Sequence, residues 1–353
     1  NKASPLNIQI QGPFDSSYSL AIVNSQLAKA VANYTPYDVS LYSTEGDGDF
    51  LPNVKNLDKE TLSLYENTQE NIDITVRNLY PPRTNAMRGY HKIIGPYGWE
   101  ESRFLPLHVR LFNQRLSLIF TMSQYVSKVL KSNGVYIPTV TTGIVADHIL
   151  HVEPYELNYP LPKGFKLLHV SSAFPRKGVD VLLDAFLRLD NSFSLIIKTF
   201  ANPHNDIVKQ LNDLNFKLLV TYEEGVYLYK SDTKEILLIS KDLPNESIRY
   251  LYESSNLLVA PTRGEGFGLP QAEAMLCELP VVTTAYGGQS DFCTKETSYL
   301  IDFDFKYAKT HMNLMRSYWV EPKIDSLVSQ INRVKNEPQE TLKQKTKKAK
   351  EYI

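Results

Sequence analysis

Cysteine is nearly absent: Cys277 and Cys293 are the only two in 353 residues. Two thiols cannot staple a chain of this length, and such sparse use points to a reducing, cytoplasmic compartment. No apolar run approaches 18 residues, which excludes a membrane-spanning helix. A basic excess is missing too. Lys plus Arg total 38 against 39 Asp plus Glu, so the charge pattern of a nucleic-acid binder is not there. The seven histidines show no zinc-ligand spacing with the cysteines, and His169, inside an apolar strand, reads as a core residue. The opening Asn1-Lys2-Ala3-Ser4-Pro5 has neither an initiator Met nor an apolar signal core. A processed chain, or a piece of a longer polypeptide, is expected.

What remains is an ordinary globular composition, 42% hydrophobic and 22% charged, in a chain long enough for two domains. Ile8 and Ile10 alternate with polar residues and predict a strand. Gly12-Pro13 breaks it, and Ser16 or Ser17 is placed to cap a helix carrying the stripe Leu20, Val23, Leu27, Ala30 and Val31. Further strands are expected at Ile72 to Val76, Tyr90 to Ile94 and Leu118 to Thr121. A helix should start at Pro106, and another, capped by Ser123, should end before Gly134.

Glu153 to Gly164 carries three prolines and little periodicity, which sets the domain boundary at 157/158. Beyond it, Phe165 to Val170, Ser194 to Thr199, Glu235 to Ser240, Leu257 to Ala260 and Pro280 to Thr284 predict strands with helices between them. Val179, Leu182, Leu183, Phe186 and Leu187 form one helix face. The expected fold class is α/β: two Rossmann-like, doubly wound domains facing a cleft, residues 1–157 and 158–322, with a helical tail at 323–353. The tail's Lys343, Lys345, Lys347, Lys348 and Lys350 suit a solvated helix face first, and peripheral contact with an anionic membrane surface second.

The densest chemical signal is Pro261-Thr262-Arg263-Gly264-Glu265-Gly266-Phe267-Gly268-Leu269-Pro270 followed by Gln271-Ala272-Glu273-Ala274-Met275. Three glycines let a backbone approach a ligand, and a glycine loop feeding a helix N-terminus suits a phosphate. Carboxylates repel phosphate, so Glu265 and Glu273 are better matched to sugar hydroxyls. The second signal is Ser171-Ser172-Ala173-Phe174-Pro175-Arg176-Lys177-Gly178, between a buried strand and an amphipathic helix. Alone, two adjacent cations decorate many loops. Beside the glycine block, Arg176 and Lys177 read as the neutralisers of a diphosphate.

Together these blocks resemble the donor-site motifs of retaining GT-B glycosyltransferases of family 4, with Gly287-Gly288 fitting the same pattern. Trp99-Glu100-Glu101-Ser102, Gly143-Ile144-Val145 and Trp319-Val320-Glu321-Pro322 resemble a subgroup acting on surface polysaccharides. The resemblance implies a hexosyltransferase-type enzyme, with a nucleotide-diphosphosugar as substrate and neither cofactor nor metal. Arg176 and Lys177 would contact the diphosphate. Glu265, with Gly266, Phe267, Gly268 and Leu269, would hold the sugar and phosphate, and Glu273 the ribose. Leu243 and the Gly12 loop complete the implied donor contacts. Glu265, Arg176 and Lys177 are the expected catalytic residues. Reaction on one sugar face, with the departing phosphate taking the acceptor's proton, is implied for a glycan or lipid-linked acceptor. Tyr97, Trp99 and Glu100 are the expected acceptor residues, Tyr97 and Trp99 as a stacking pair.

Departures from the pattern are Gly12-Pro13-Phe14 in place of paired glycines and the lack of a His near Trp99. A nucleotide-sugar epimerase or a phosphorylase of the same fold, and a non-catalytic sugar-nucleotide-binding subunit, remain alternatives. Asp47-Gly48-Asp49 reads as a solvated acidic turn. Asp302-Phe303-Asp304, after a short strand, is the one kept as a candidate for the metal-binding D-x-D pattern of a different fold.

Overall fold

The computed structural model describes residues 5–16 and 18–353. The chain forms two compact units, one ending at Val145 and the other running from Ala146 to Ile353. Asn1 to Ser4 and the candidate cap Ser17 lie outside the described residues.

In the first unit, β1 (Asn7–Gln11), α1 (Ser19–Tyr34) and β2 (Asp38–Tyr42) are followed by a small hairpin of β3 (Thr44–Glu45) and β4 (Gly48–Asp49). Next come α2 (Lys59–Glu66), β5 (Ile74–Arg77), β6 (His91–Tyr97), α3 (Pro106–Arg115), β7 (Leu118–Thr121), α4 (Gln124–Ser132) and β8 (Thr139–Thr141). Six strands make a parallel sheet in the order β2-β1-β5-β6-β7-β8. Alternating Ile8 and Ile10, with Val39, Leu41, Val76 and Ile93, fill one core beside that sheet. Two caps were expected. Ser123 does cap α4, its hydroxyl accepting the Val126 N–H at 3.3 Å. Ser16 does not cap α1, whose N-cap is Tyr18 with no side-chain bond. Asp47 lies in the turn of the β3–β4 hairpin and Gly48-Asp49 in its second strand, with Asp49 accepting the Tyr42 hydroxyl at 2.6 Å.

The second unit contains β9 (Phe165–Val170), α5 (Val179–Arg188), β10 (Phe193–Thr199), α6 (Ile207–Asp213), β11 (Lys217–Glu223), β12 (Val226–Lys230), β13 (Glu235–Ser240), α7 (Asn245–Ser254) and β14 (Leu257–Ala260). It continues with α8 (Leu269–Leu276), β15 (Val281–Thr284), β16 (Tyr299–Ile301), a ribbon of β17 (Phe303–Tyr307) and β18 (Tyr318–Pro322), α9 (Ile324–Asn336) and α10 (Gln339–Tyr352). The sheet order is β11-β12-β13-β10-β9-β14-β15-β16. The alternation of strands and helices predicts a parallel sheet here, but the observed one is mixed. β11 and β12 form an antiparallel hairpin that adds to the β13 edge. Val179, Leu182, Leu183 and Phe186 of α5 pack with Leu327, Ile331 and Val334 of α9 over the central strands.

The boundary also moves, from 157/158 to 145/146. Segment 146–157 is tied to α7: Arg249 donates to the carbonyls of Leu150 at 3.2 Å and Val152 at 2.6 Å, and the Tyr155 N–H to Glu246 O at 3.1 Å. The tail, residues 323–353, is part of the second unit. On α10, Lys345 donates to Lys295 O at 2.6 Å, Lys348 pairs with Glu296, and Lys350 reaches Glu278 at 2.8 Å. Three of the five tail lysines are therefore spent on docking the helix. Among the described residues, no helix is long and apolar enough to cross a membrane.

Candidate functional site

In an open parallel sheet the ligand crevice lies beyond the strands' C-terminal ends, where the strand order reverses. In the second unit that point falls between β9 and β14. Both motif loops leave from there.

The first loop starts at His169, buried in β9. Its Nδ1 faces Val259 O at 2.8 Å and must carry the proton. Nε2 then accepts from the Ser171 hydroxyl at 2.8 Å, and Ser171 Oγ accepts the Ala173 N–H at 3.0 Å. Burial pushes the imidazole pKa down to about 4, so His169 is neutral and structural, as expected. A 3₁₀ turn, Pro175–Lys177, then leads to Gly178, whose φ is +71° and whose added Cβ would meet Pro261 O at 2.0 Å. Glycine is required here by the second loop pressing on the first.

Arg263 locks the two loops together. Its N–H donates to Arg176 O at 2.7 Å. Its guanidinium takes Asp180 at 2.8 and 2.7 Å and Glu321 at 3.0 and 2.7 Å, each bidentate, and donates to Pro175 O at 2.6 Å. It also lies over the Trp319 ring at 5.5 Å. Burial opposes the charge, but the two carboxylates outweigh it and raise the pKa. Arg263 had no role of its own in the sequence reading. Its partners lie far off along the chain, so no local pattern could supply them.

Glu265 is the centre of the site. It is 6% exposed, and its two oxygens receive Lys177 Nζ at 2.7 and 2.8 Å, with Arg176 Nη1 at 3.5 Å. Burial alone would raise its pKa, but Lys177 and then Arg176 override that and hold the carboxyl below its usual range. The three expected catalytic residues are thus brought into one cluster, and both cations are already bound to a carboxylate. Gly268, at φ +99°, caps α8, with Pro270 in the first turn.

The Gly287-Gly288 loop packs on the same segment. The Gly288 N–H donates to Glu265 O at 2.7 Å, and a Cβ at 288 would sit 2.0 Å from Gly266 O. Part of the glycine signal therefore serves protein against protein. Gly288→Ala is expected to destabilise the chain by roughly 2–3 kcal/mol through overpacking against backbone that cannot move aside. Urea midpoints measure this, and a loss below about 0.5 kcal/mol would mean that the loops yield freely.

Glu273, buried on α8, accepts the Tyr252 hydroxyl at 2.7 Å. His148 Nε2 stands 2.9 Å from its other oxygen but lacks hydrogen-bond geometry. His148 and Tyr252 were missed because they come from the 147–150 turn and α7. Lys198, the penultimate residue of β10 and buried, adds a cation within the field of Asp242 and Glu273. Leu243 is half-buried in the loop before α7.

In the first unit, Gly12 is explained by packing, since a Cβ there would meet Asn78 O at 2.3 Å and Asn24 Nδ2 at 2.4 Å. Tyr97 and Trp99 do not form a sugar platform. Both are buried, edge-on to Phe104 at 5.9 and 5.0 Å, and Trp99 Nε1 donates to Arg103 O at 2.7 Å. Neither ring offers a face. Glu100 is half-buried beside them. In the second unit, Asp304 pairs with Lys323 at 3.2 Å. Burial pushes the Cys277 thiol up to about 12 and raises Cys293 as well, so neither is a nucleophile at neutral pH.

Comparison with known proteins agrees with this geometry. The family model described as glycosyl transferases group 1 matches residues 159–352, more than half of the chain. The chain belongs to that family. It is 28% identical over 178 residues to O-antigen chain mannosyltransferase B of Escherichia coli, covering 49% of this chain and 39% of that protein. It is 30% identical over 121 residues to an uncharacterized glycosyltransferase of Methanocaldococcus jannaschii, covering 34% and 29%. The chain thus spans well under half the length of these curated relatives. Among solved structures, sucrose-phosphate synthase of Thermosynechococcus elongatus superposes with a TM-score of 0.68 at 15% identity, covering 98% of this chain and 94% of that one. An Anabaena protein in complex with UDP and glucose gives 0.61 at 14%, covering 98% and 95%. Such low identity shows the fold alone, and that fold is GT-B with its two Rossmann-like units.

Proposed function

We propose that this group 1 glycosyltransferase is a retaining, family 4 hexosyltransferase that moves a sugar from a nucleotide-diphosphosugar to a glycan or lipid-linked acceptor, without a metal ion. The observation that carries this is Glu265, buried at the switch point and charged through Lys177 and Arg176, just before the N-terminus of α8. Arg176 and Lys177 bring two positive charges to the loop that would meet a leaving diphosphate as charge develops on it. The amides that open α8 add the positive end of a helix. Glu265 then faces the sugar and Glu273 the ribose. The retained configuration follows from departure and attack on one face, the phosphate taking the acceptor's proton. A surface glycan is the acceptor class favoured by the printed names of the E. coli relative and of a capsular polysaccharide glycosyltransferase from Staphylococcus aureus, 28% identical over 148 residues.

A thermal-shift screen of nucleotide sugars should find a donor, because bound ligand raises the melting temperature by mass action. With that donor, transfer should survive excess EDTA, and NMR of the product should show the donor's anomeric configuration. Inversion, or loss of activity to chelator restored by Mn²⁺, would overturn the proposal.

A further inference from the structure

The first unit holds two guanidinium groups that the donor site does not use. Its strand order reverses between β1 and β5, whose last residues, Gln11 and Arg77, are register partners. Arg77 is 3% exposed, and its known partners are all neutral: Gln11 Oε1 at 2.8 Å, Arg83 O at 2.9 Å and Asn85 O at 2.7 Å. Among the described residues no carboxylate comes within 4 Å of it. Arg83 donates to Thr44 Oγ1 and to Glu45 O at 3.1 Å, with the exposed Asp49 carboxylate 4.0 Å away. The Glu45 carboxylate is engaged by the Tyr18 hydroxyl. Burial, helped by Arg83, lowers the Arg77 pKa to about 10, outweighing the opposing pull of Asp49 and Tyr42.

Around this pair, buried polar atoms lack partners. Asn78 Nδ2, Arg83 Nε and the hydroxyls of Ser43 and Thr84 are without a hydrogen bond among the described residues. One acceptor, Asn24 Oδ1, is in the same condition. Asn78, Ser43 and Thr84 are each at most 5% exposed. Buried charge is normally paired and buried donors are normally satisfied. Here unsatisfied donors and positive charge gather at the crevice end of one sheet, and an anion answers both.

We propose that Arg77 and Arg83, with Asn78, Ser43 and Thr84, form an anion subsite in the first unit that takes a phosphate or carboxylate group of the acceptor. That the anion belongs to the acceptor rests on the glycosyltransferase reading. That it binds here does not.

The test is a titration of the full chain with inorganic phosphate, followed by backbone amide NMR, with sodium chloride at matched ionic strength as control. Saturable shifts are expected at residues 12 and 78–84, and separately at 176–178 and 264–269. Arg83→Gln should weaken phosphate binding at residues 78–84 by at least about tenfold while the 264–269 shifts persist. Thr84→Val removes a hydroxyl that has no partner, so it should keep or raise the melting temperature yet weaken phosphate binding there by about fivefold. Four outcomes overturn the subsite: shifts confined to 176–178 and 264–269, first-unit shifts reproduced by chloride, first-unit shifts unmoved by both variants, or loss of both sets together in Arg83→Gln. Shifts at 78–84 without any at 264–269 would keep the subsite and count against the donor reading.

Discussion

Replacing Lys177 by Met should lower stability by about 3–5 kcal/mol, the usual cost of leaving one member of a buried ion pair alone. Lys177 grips both oxygens of Glu265, whereas Arg176 touches one at 3.5 Å and its side chain is 23% exposed. The pH dependence should change sign as well. In the native protein the Glu265 pKa is lowered on folding, so its contribution is complete above the ordinary carboxylate range and fades as pH falls through the folded value. Without Lys177 burial dominates, the folded pKa rises above the unfolded one, and stability should recover as the solution is acidified toward the carboxylate range. Adding Glu265→Gln to Lys177→Met should restore most of the loss at pH 7 without restoring transfer. Urea unfolding at pH 7 and pH 5 measures each step. A loss under about 1 kcal/mol in the single variant would show that Arg176 alone suffices.

The two glutamates should separate in kinetics. Under the proposed roles, Glu265 meets a sugar whose charge and shape change in the transition state, while Glu273 meets a ribose that stays as it was. Interactions that tighten only in the transition state appear in kcat, and uniform binding appears in KM. Glu265→Gln should therefore lower kcat by about 10²-fold or more, near 2.7 kcal/mol at about 1.4 kcal/mol per decade. It also weakens the hold on Lys177, which adds to the loss. Glu273→Gln should chiefly raise the donor KM. The Tyr252 hydroxyl can still donate to the amide oxygen, so the side chain keeps one anchor. The opposite pattern, with Glu273→Gln crippling turnover and Glu265→Gln moving only KM, would reverse the roles.

Much of the second unit could be read from the chain because its strands are short, apolar and bounded by breakers. Phe165–Val170, Glu235–Ser240 and Leu257–Ala260 fall where alternation and burial placed them. The β11–β12 hairpin did not. It lies between two expected strands, where helices are expected, although Glu224-Gly225 between two β-branched and aromatic segments is a turn signal. Contacts across the fold were out of reach. Asp180, Arg263 and Glu321 share no local pattern, yet they fix the loops that carry Arg176 and Glu265. The aromatic pair failed for a related reason. Tyr97 and Trp99 look like a platform in sequence, but Phe104 packs edge-on against both and Phe112 against Tyr97.

Each unit has a tryptophan to itself. Trp99 lies in the aromatic cluster of the first and Trp319 beneath the Arg263 guanidinium of the second, both shielded from water. Intrinsic emission thus divides by unit. With Trp99→Phe the remaining indole reports on the strand that anchors Arg263. With Trp319→Phe it reports on the aromatic core of the first unit. The order in which the two halves come apart can be followed optically without attaching a dye.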